Sequence, residues 1–151
     1  VGGKMAVYNK QNIEHLYNLP TVDDITLADC FDIEFKRCMD YEYPDIPYTY
    51  DPKNYTGYET IRFHDPNNVV PRAELEALVV EKTKIIIEGG KARRSDMLRQ
   101  ERNRRLAETD WWASSDLTMT AEQTAYRQAL RDITQTYTSL EDVVWPTKPE
   151  V

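Results

Sequence analysis

The chain is poor in the residues that most reactive sites are built from. Two cysteines, Cys30 and Cys38, and two histidines, His15 and His64, are spread over 151 residues. That is too few for a disulfide scaffold, and no metal-ligand pattern accompanies them, so the cysteines are expected to be buried, reduced thiols. Glycine occurs only five times, and no phosphate-cradling loop, dinucleotide fingerprint, nucleophile elbow or HExxH helix is present. The stretch DPKNYTG, residues 51–57, is a turn and lacks the alternating oxygen ligands of a calcium loop. No long apolar run exists and mean hydropathy is −0.69, which predicts no membrane span. Met5 reads as an initiator, and residues 1–4 carry no fold expectation. No catalytic residue, cofactor site or metal site is assigned, and the expectation is a protein that is not an enzyme.

Charge is what the chain has in quantity. The net charge of −7 is distributed in blocks. Residues 1–90 hold 9 basic against 16 acidic side chains, residues 91–105 hold 7 against 2, and residues 106–151 hold 3 against 8. A basic block between acidic ones suits charge pairing within the chain or between copies at least as well as phosphate capture.

Tyrosine and proline dominate residues 40–70, with six tyrosines, four prolines and one glycine. The prolines interrupt helix repeatedly, so an irregular segment is expected, with a short strand through Ile61 and Phe63. Tyrosine offers large apolar area with a polar tip at low entropic cost. Tyr48, Tyr50, Tyr55 and Tyr58 are therefore candidate partner-binding residues, the alternative being that they brace their own subdomain. Upstream, residues 25–39 alternate at Phe31, Ile33 and Phe35 but also carry a helical stripe, and the helical reading is preferred, with Thr26 and Asp29 capping its start.

The stretch PRAELEALVVEKTKIIIEGG predicts a helix over about 72–87, opened by Pro71 and stopped by Gly89-Gly90. The diglycine becomes a candidate joint, dividing an N-terminal docking region, 5–90, from a small helical-hairpin module, 95–151. In that module a helix is expected from about Ser95 to Thr109, with arginines all round and a thin seam of Leu98 and Leu106. A second helix is opened by the capping box Thr120 to Gln123 and carries Tyr126, Leu130 and Ile133 on one stripe. A Trp-Pro tail closes the chain. The fold class is thus mainly α with an irregular Tyr/Pro-rich N-terminal part, α+β being the alternative.

Together, MLRQERNRRLAETDWW, LTMTAEQTAYRQALRDI and VVWPTKP resemble the phage tail assembly chaperone family over residues 95–149. The chain departs from that pattern at Arg105, where the family continues with an aliphatic residue, and at Thr134, where a proline commonly follows the helix. The resemblance implies a noncatalytic bacteriophage tail or tail-fibre associated protein that acts by protein–protein contact, as a structural virion component or an assembly factor in the host cytoplasm. Its partners would be tail or tail-fibre proteins, with a homo-oligomer open. From their spacing and size, Leu98, Leu106, Trp111, Trp112, Tyr126, Leu130, Ile133 and Trp145 are expected to form the core of the C-terminal module. The competing reading is a nucleic-acid-binding accessory protein using the basic helix 91–105. The acidic flanks, the all-round arginines and the absence of any recognised nucleic-acid module weigh against it.

Overall fold

The computed structural model describes residues 10–30, 32–51, 53 and 57–150. Phe31 and Tyr55 lie outside them. The fold is mainly helical: α1 (Lys10–Tyr17), α2 (Asp32–Glu42), β1 (Tyr48–Tyr50), β2 (Ile61–Phe63), α3 (Arg72–Ala107) and α4 (Ala121–Thr136). The chain divides into two compact units, Val1–Glu88 and Gly89–Val151.

The first unit is organised around α2 and the N-terminal half of α3. Phe35, Cys38 and Met39 recur at helical spacing along α2, and Leu75 and Val79 do so along α3. These five bury against Ile61 of β2 and Val70, with Tyr43, Ile46, Tyr48, Tyr58 and Phe63 packed around them. The strands form an antiparallel ribbon in the register Tyr48 to Phe63, Thr49 to Arg62 and Tyr50 to Ile61. The His64 N–H donates to the Pro47 carbonyl at 3.1 Å and extends the pairing by one bond. A smaller cluster of Leu16, Ile25 and Ile87 is bordered by Tyr17, Leu19, Val22 and Cys30.

Thr26 and Asp29 do form a capping box, but around a one-turn 3-10 helix, Leu27–Asp29, ahead of α2. The Thr26 N–H and hydroxyl both donate to the Asp29 carboxylate, at 2.8 and 2.9 Å, and these bonds hold that carboxyl below its usual pKa. Pro71 accepts from the Leu75 N–H at 3.0 Å at the head of α3, consistent with proline at a helix start.

The diglycine does not stop a helix. A single 36-residue helix, α3, runs through Gly89 and Gly90, replacing the two helices expected at 72–87 and 95–109. Among the described residues only Gly57 has a positive φ, so neither glycine takes the left-handed conformation that a helix terminus would use. Two interior glycines cost about 1 kcal/mol each relative to alanine. That is a small penalty for a helix with at least seventeen residues on either side, because propagation adds a hydrogen bond at every residue.

Gly57 is the position where glycine is required. Its φ of 100° is open to few side chains, and a Cβ there would lie 3.5 Å from the Phe35 ring. Gly57→Ala is expected to destabilise the first unit by about 1–3 kcal/mol, read as a lowered midpoint in denaturant unfolding. The corresponding Gly89→Ala, whose Cβ would meet only the end of Arg93 at 3.8 Å, should leave the midpoint unchanged or raise it.

Candidate interaction surfaces

In the first unit the structure brings Tyr48, Tyr50 and Tyr58 to the ribbon, each half-buried against the core. The polar tips of Tyr48 and Tyr58 are engaged internally. The Tyr48 hydroxyl donates to the Asp40 carboxylate and lies 3.4 Å from the Lys36 carbonyl. Burial, reinforced by Asp40, pushes its pKa up. The Tyr58 hydroxyl donates to the Val70 carbonyl at 2.7 Å. Tyr48 and Tyr50 stack with ring centroids 6.4 Å apart, and the Lys36 ammonium sits 5.6 Å from the Tyr50 ring. Tyr43, absent from the candidate set, is fixed the same way. Its hydroxyl donates to Glu74 at 2.6 Å, and that bond raises its pKa to about 12. The tyrosines therefore brace the ribbon onto α2 and α3. Among the described residues the most exposed tyrosine is Tyr41, 80% exposed, which the sequence pattern did not distinguish because burial on α2 depends on which face meets α3.

In the second unit the core holds Trp112, Tyr126 and Leu130, with Leu106, Met119 and Trp145 packed against it. Leu98 and Ile133 are buried as well. Trp111 is the exception, being 52% exposed while Trp112 is 2% exposed. The reason is local. Both lie in a 3-10 turn, Asp110–Ala113, where successive side chains diverge by about 120°, so neighbours cannot share one buried face. The two indoles meet edge to face at 6.2 Å, and Trp112 packs on Tyr126 at 6.1 Å.

The turn after α3 is held by a residue that sequence reasoning missed. Arg127, 7% exposed, projects from α4 and donates to the Leu106 carbonyl at 3.0 Å, the Thr109 hydroxyl at 2.7 Å and the Asp110 carboxylate at 2.9 Å. The Leu106 carbonyl also accepts from the Thr109 N–H and hydroxyl, both at 3.0 Å. A buried guanidinium thus caps the last turn of α3, where orphan carbonyls concentrate partial negative charge. The available signal was positional, since Arg127 adjoins the Tyr126, Leu130, Ile133 stripe at helical spacing. Among the described residues the buried Nε1 of Trp112 and Nε of Arg127 have no hydrogen-bond partner.

The basic block is largely occupied within its own unit. Arg99 pairs with Asp96 at 3.3 Å, Arg104 bridges Glu101 and Glu108, Arg105 reaches Glu101 at 2.9 Å, and Arg94 lies 3.8 Å from Glu141. Arg105 also lies over the Trp145 ring at 4.2 Å, so a guanidinium plane covers the indole. Hydrogen bonds from Arg104, aided by Arg105, hold the Glu101 carboxyl down at about 2. Among the described residues no group of three or more His, Cys, Asp or Glu side chains could hold a metal. No described helix is long and apolar enough to cross a membrane.

Two outcomes follow from this geometry. Arg127→Ala should cost roughly 2–4 kcal/mol, because two buried acceptors lose a charged donor. Asp110→Asn, removing the charge from a partner that is 66% exposed, should cost at most about 1 kcal/mol; equal losses for the two variants in thermal unfolding would contradict the capping role. Glu101 titrates at a depressed pKa in the folded chain, so its stabilisation is complete above the usual value of 4.5 and is lost as pH falls through about 2. Glu101→Gln should therefore flatten the fall of melting temperature between about pH 4.5 and 2 relative to the parent chain.

No curated protein and no solved structure matches the chain. A family model does, and the stretch it covers is the second unit from Ser95 onward, including the arginine-capped turn and the tryptophan core: residues 95–150 match the phage tail assembly chaperone protein family.

Proposed function

We propose that the protein is a noncatalytic factor of bacteriophage tail assembly that works by protein–protein contact with tail or tail-fibre proteins. The observation that carries this reading is the match of residues 95–150 to the tail assembly chaperone family, in a stretch with its own hydrophobic centre. In this reading the second unit is the family module, and the first supplies the docking region through the tyrosine-bearing ribbon, Tyr48, Tyr50 and Tyr58, with Tyr55 beside them in sequence. A shallow cleft of about 480 Å³ along the ribbon, lined by Thr49, Tyr50, Asp51, Thr60 and Arg62, gives an extended partner segment polar groups and a ring edge to meet. Work in the host cytoplasm during assembly, with or without retention in the virion, follows from the same reading.

The pairing of the basic block favours this reading over nucleic-acid binding. Arginines already bonded to carboxylates release fewer counterions on meeting phosphate, and the module as a whole is neutral, with 10 basic and 10 acidic side chains in residues 89–151.

Co-expression of the tagged chain with the tail proteins of its phage is the direct test. Co-purification of a tail or tail-fibre protein is expected, and Thr49→Arg, at an exposed position lining the ribbon cleft, should reduce it severalfold with an unchanged melting curve. If no tail protein co-purifies while a labelled oligonucleotide binds with steep salt dependence, the nucleic-acid reading replaces this one.

A further inference from the structure

Carboxylates outnumber cations in the first unit, with 9 basic against 16 acidic side chains in residues 1–88. Lys36, Arg37, Arg72, Lys82 and Lys84 each pair with one of them. Arg62 does not. Among the described residues no carboxylate lies within ion-pair distance of it, and its Nη1 instead donates to the Glu59 carbonyl at 2.6 Å and lies 3.4 Å from the Ile61 carbonyl. Glu59, whose carbonyl it uses, turns its carboxylate to Arg72 at 2.9 Å. One corner of the guanidinium is thus held by the backbone, while the Nε–Nη2 edge donates to no described group.

Arg62 and Thr49 face each other directly across the ribbon. Both are exposed, and with Tyr50, Asp51 and Thr60 they line the cleft of about 480 Å³. We propose that the Nε–Nη2 edge of Arg62 receives a carboxylate side chain carried on an extended segment of a tail protein. The proposal rests on the assembly reading above and deepens it by naming the residue that reads the partner and the group it reads. Two parallel N–H donors match the two oxygens of a carboxylate, and a fork already held by the backbone loses little freedom on binding. Thr49 is small enough to leave the cleft open beside the fork, and a long side chain there fills it whatever its charge. The surroundings limit the occupant to a single negative group. Asp51 stands in the same cleft, with its Oδ1 accepting from the Lys53 N–H at 2.9 Å, and the unit as a whole is acidic. A polyanion would bring its further charges against these carboxylates, whereas one carboxylate in an otherwise neutral segment meets the one open guanidinium of the cleft.

The test uses the full chain with isotope-labelled arginine, following the Arg62 Nε–H resonance by NMR. The probe is a short threonine/valine peptide with blocked ends and one central glutamate, so that this side chain is its only carboxylate. The same peptide with glutamine is the control. A saturable shift of the Arg62 Nε–H is expected with the glutamate peptide, and binding of the glutamine peptide should be at least about tenfold weaker, as a charge-assisted pair is lost. Arg62→Gln should weaken glutamate-peptide binding to the same degree. Arg62→Lys, which keeps the charge and removes the fork, should weaken it severalfold. The comparison of the two peptides on the parent chain decides the matter even where a variant melts early.

Shifts confined to other arginines, equal binding of the two peptides, or full binding by a folded Arg62→Gln chain would each overturn the assignment. An equal shift of the Arg62 Nε–H with inorganic phosphate at the same concentration would give the fork to any free anion, and tighter binding of a labelled oligonucleotide would give it to nucleic acid; either overturns it also. None of these outcomes depends on co-purification of tail proteins. A fork that fails here while tail proteins still co-purify defeats only this inference, and their absence from the co-purification defeats the assembly reading itself.

Discussion

A single guanidinium organises the C-terminal module. Arg127 is taken from water and placed where the last carbonyls of α3 collect partial negative charge, with Leu106, Thr109 and Asp110 as acceptors. Burying a charge without partners costs far more than a small module can supply, so the arrangement exists only because its acceptors converge. Once Arg127 is fixed, the other features follow in order. The 3-10 turn at Asp110–Ala113 is anchored at its start, Trp112 is directed inward onto Tyr126, and Trp111 is left outside. Shape and electrostatics are thus set by the same contact. A lysine could not reproduce it, because one ammonium lacks the planar fork that reaches several acceptors at once.

The two units differ in net charge. All of the net −7 lies in residues 1–88, while residues 89–151 balance. In the balanced unit, acids at i+3 and i+4 spacing answer the arginines of α3, and Arg105 turns to the indole of Trp145. Each exposed pair contributes little alone. The other unit carries the whole of the net charge.

Local signals carried much of the helical organisation. The capping box at Thr120 and Gln123, the proline at the head of α3 and the strand through Ile61 and Phe63 each stand where their residues suggest, because each is decided within a few residues of chain. The ordered motifs of residues 95–149 were legible for the same reason, being dense in arginine, tryptophan and proline at fixed spacing. Thr26 and Asp29 were half legible. The capping chemistry is local and present, but whether the following turn continues into α2 depends on packing beyond it.

The sequence by itself determined the class of fold, the start of α4 and the uneven charge, all of which rest on composition or short-range spacing. Only the tertiary structure decided the rest. Gly89 and Gly90 signal a stop locally, yet the cost of two helical glycines is small beside the bonds of a long helix, so α3 continues. Tyr48 and Tyr58 look available in sequence, yet Asp40 and the Val70 carbonyl, 8 and 12 residues away, claim their hydroxyls. Arg127 looks like one more solvated arginine, and its burial is fixed by acceptors 17 to 21 residues away. Side chains whose fate depends on a distant partner carry no mark of it in their own neighbourhood, since burial and hydrogen bonding are properties of the folded contact and not of the residue.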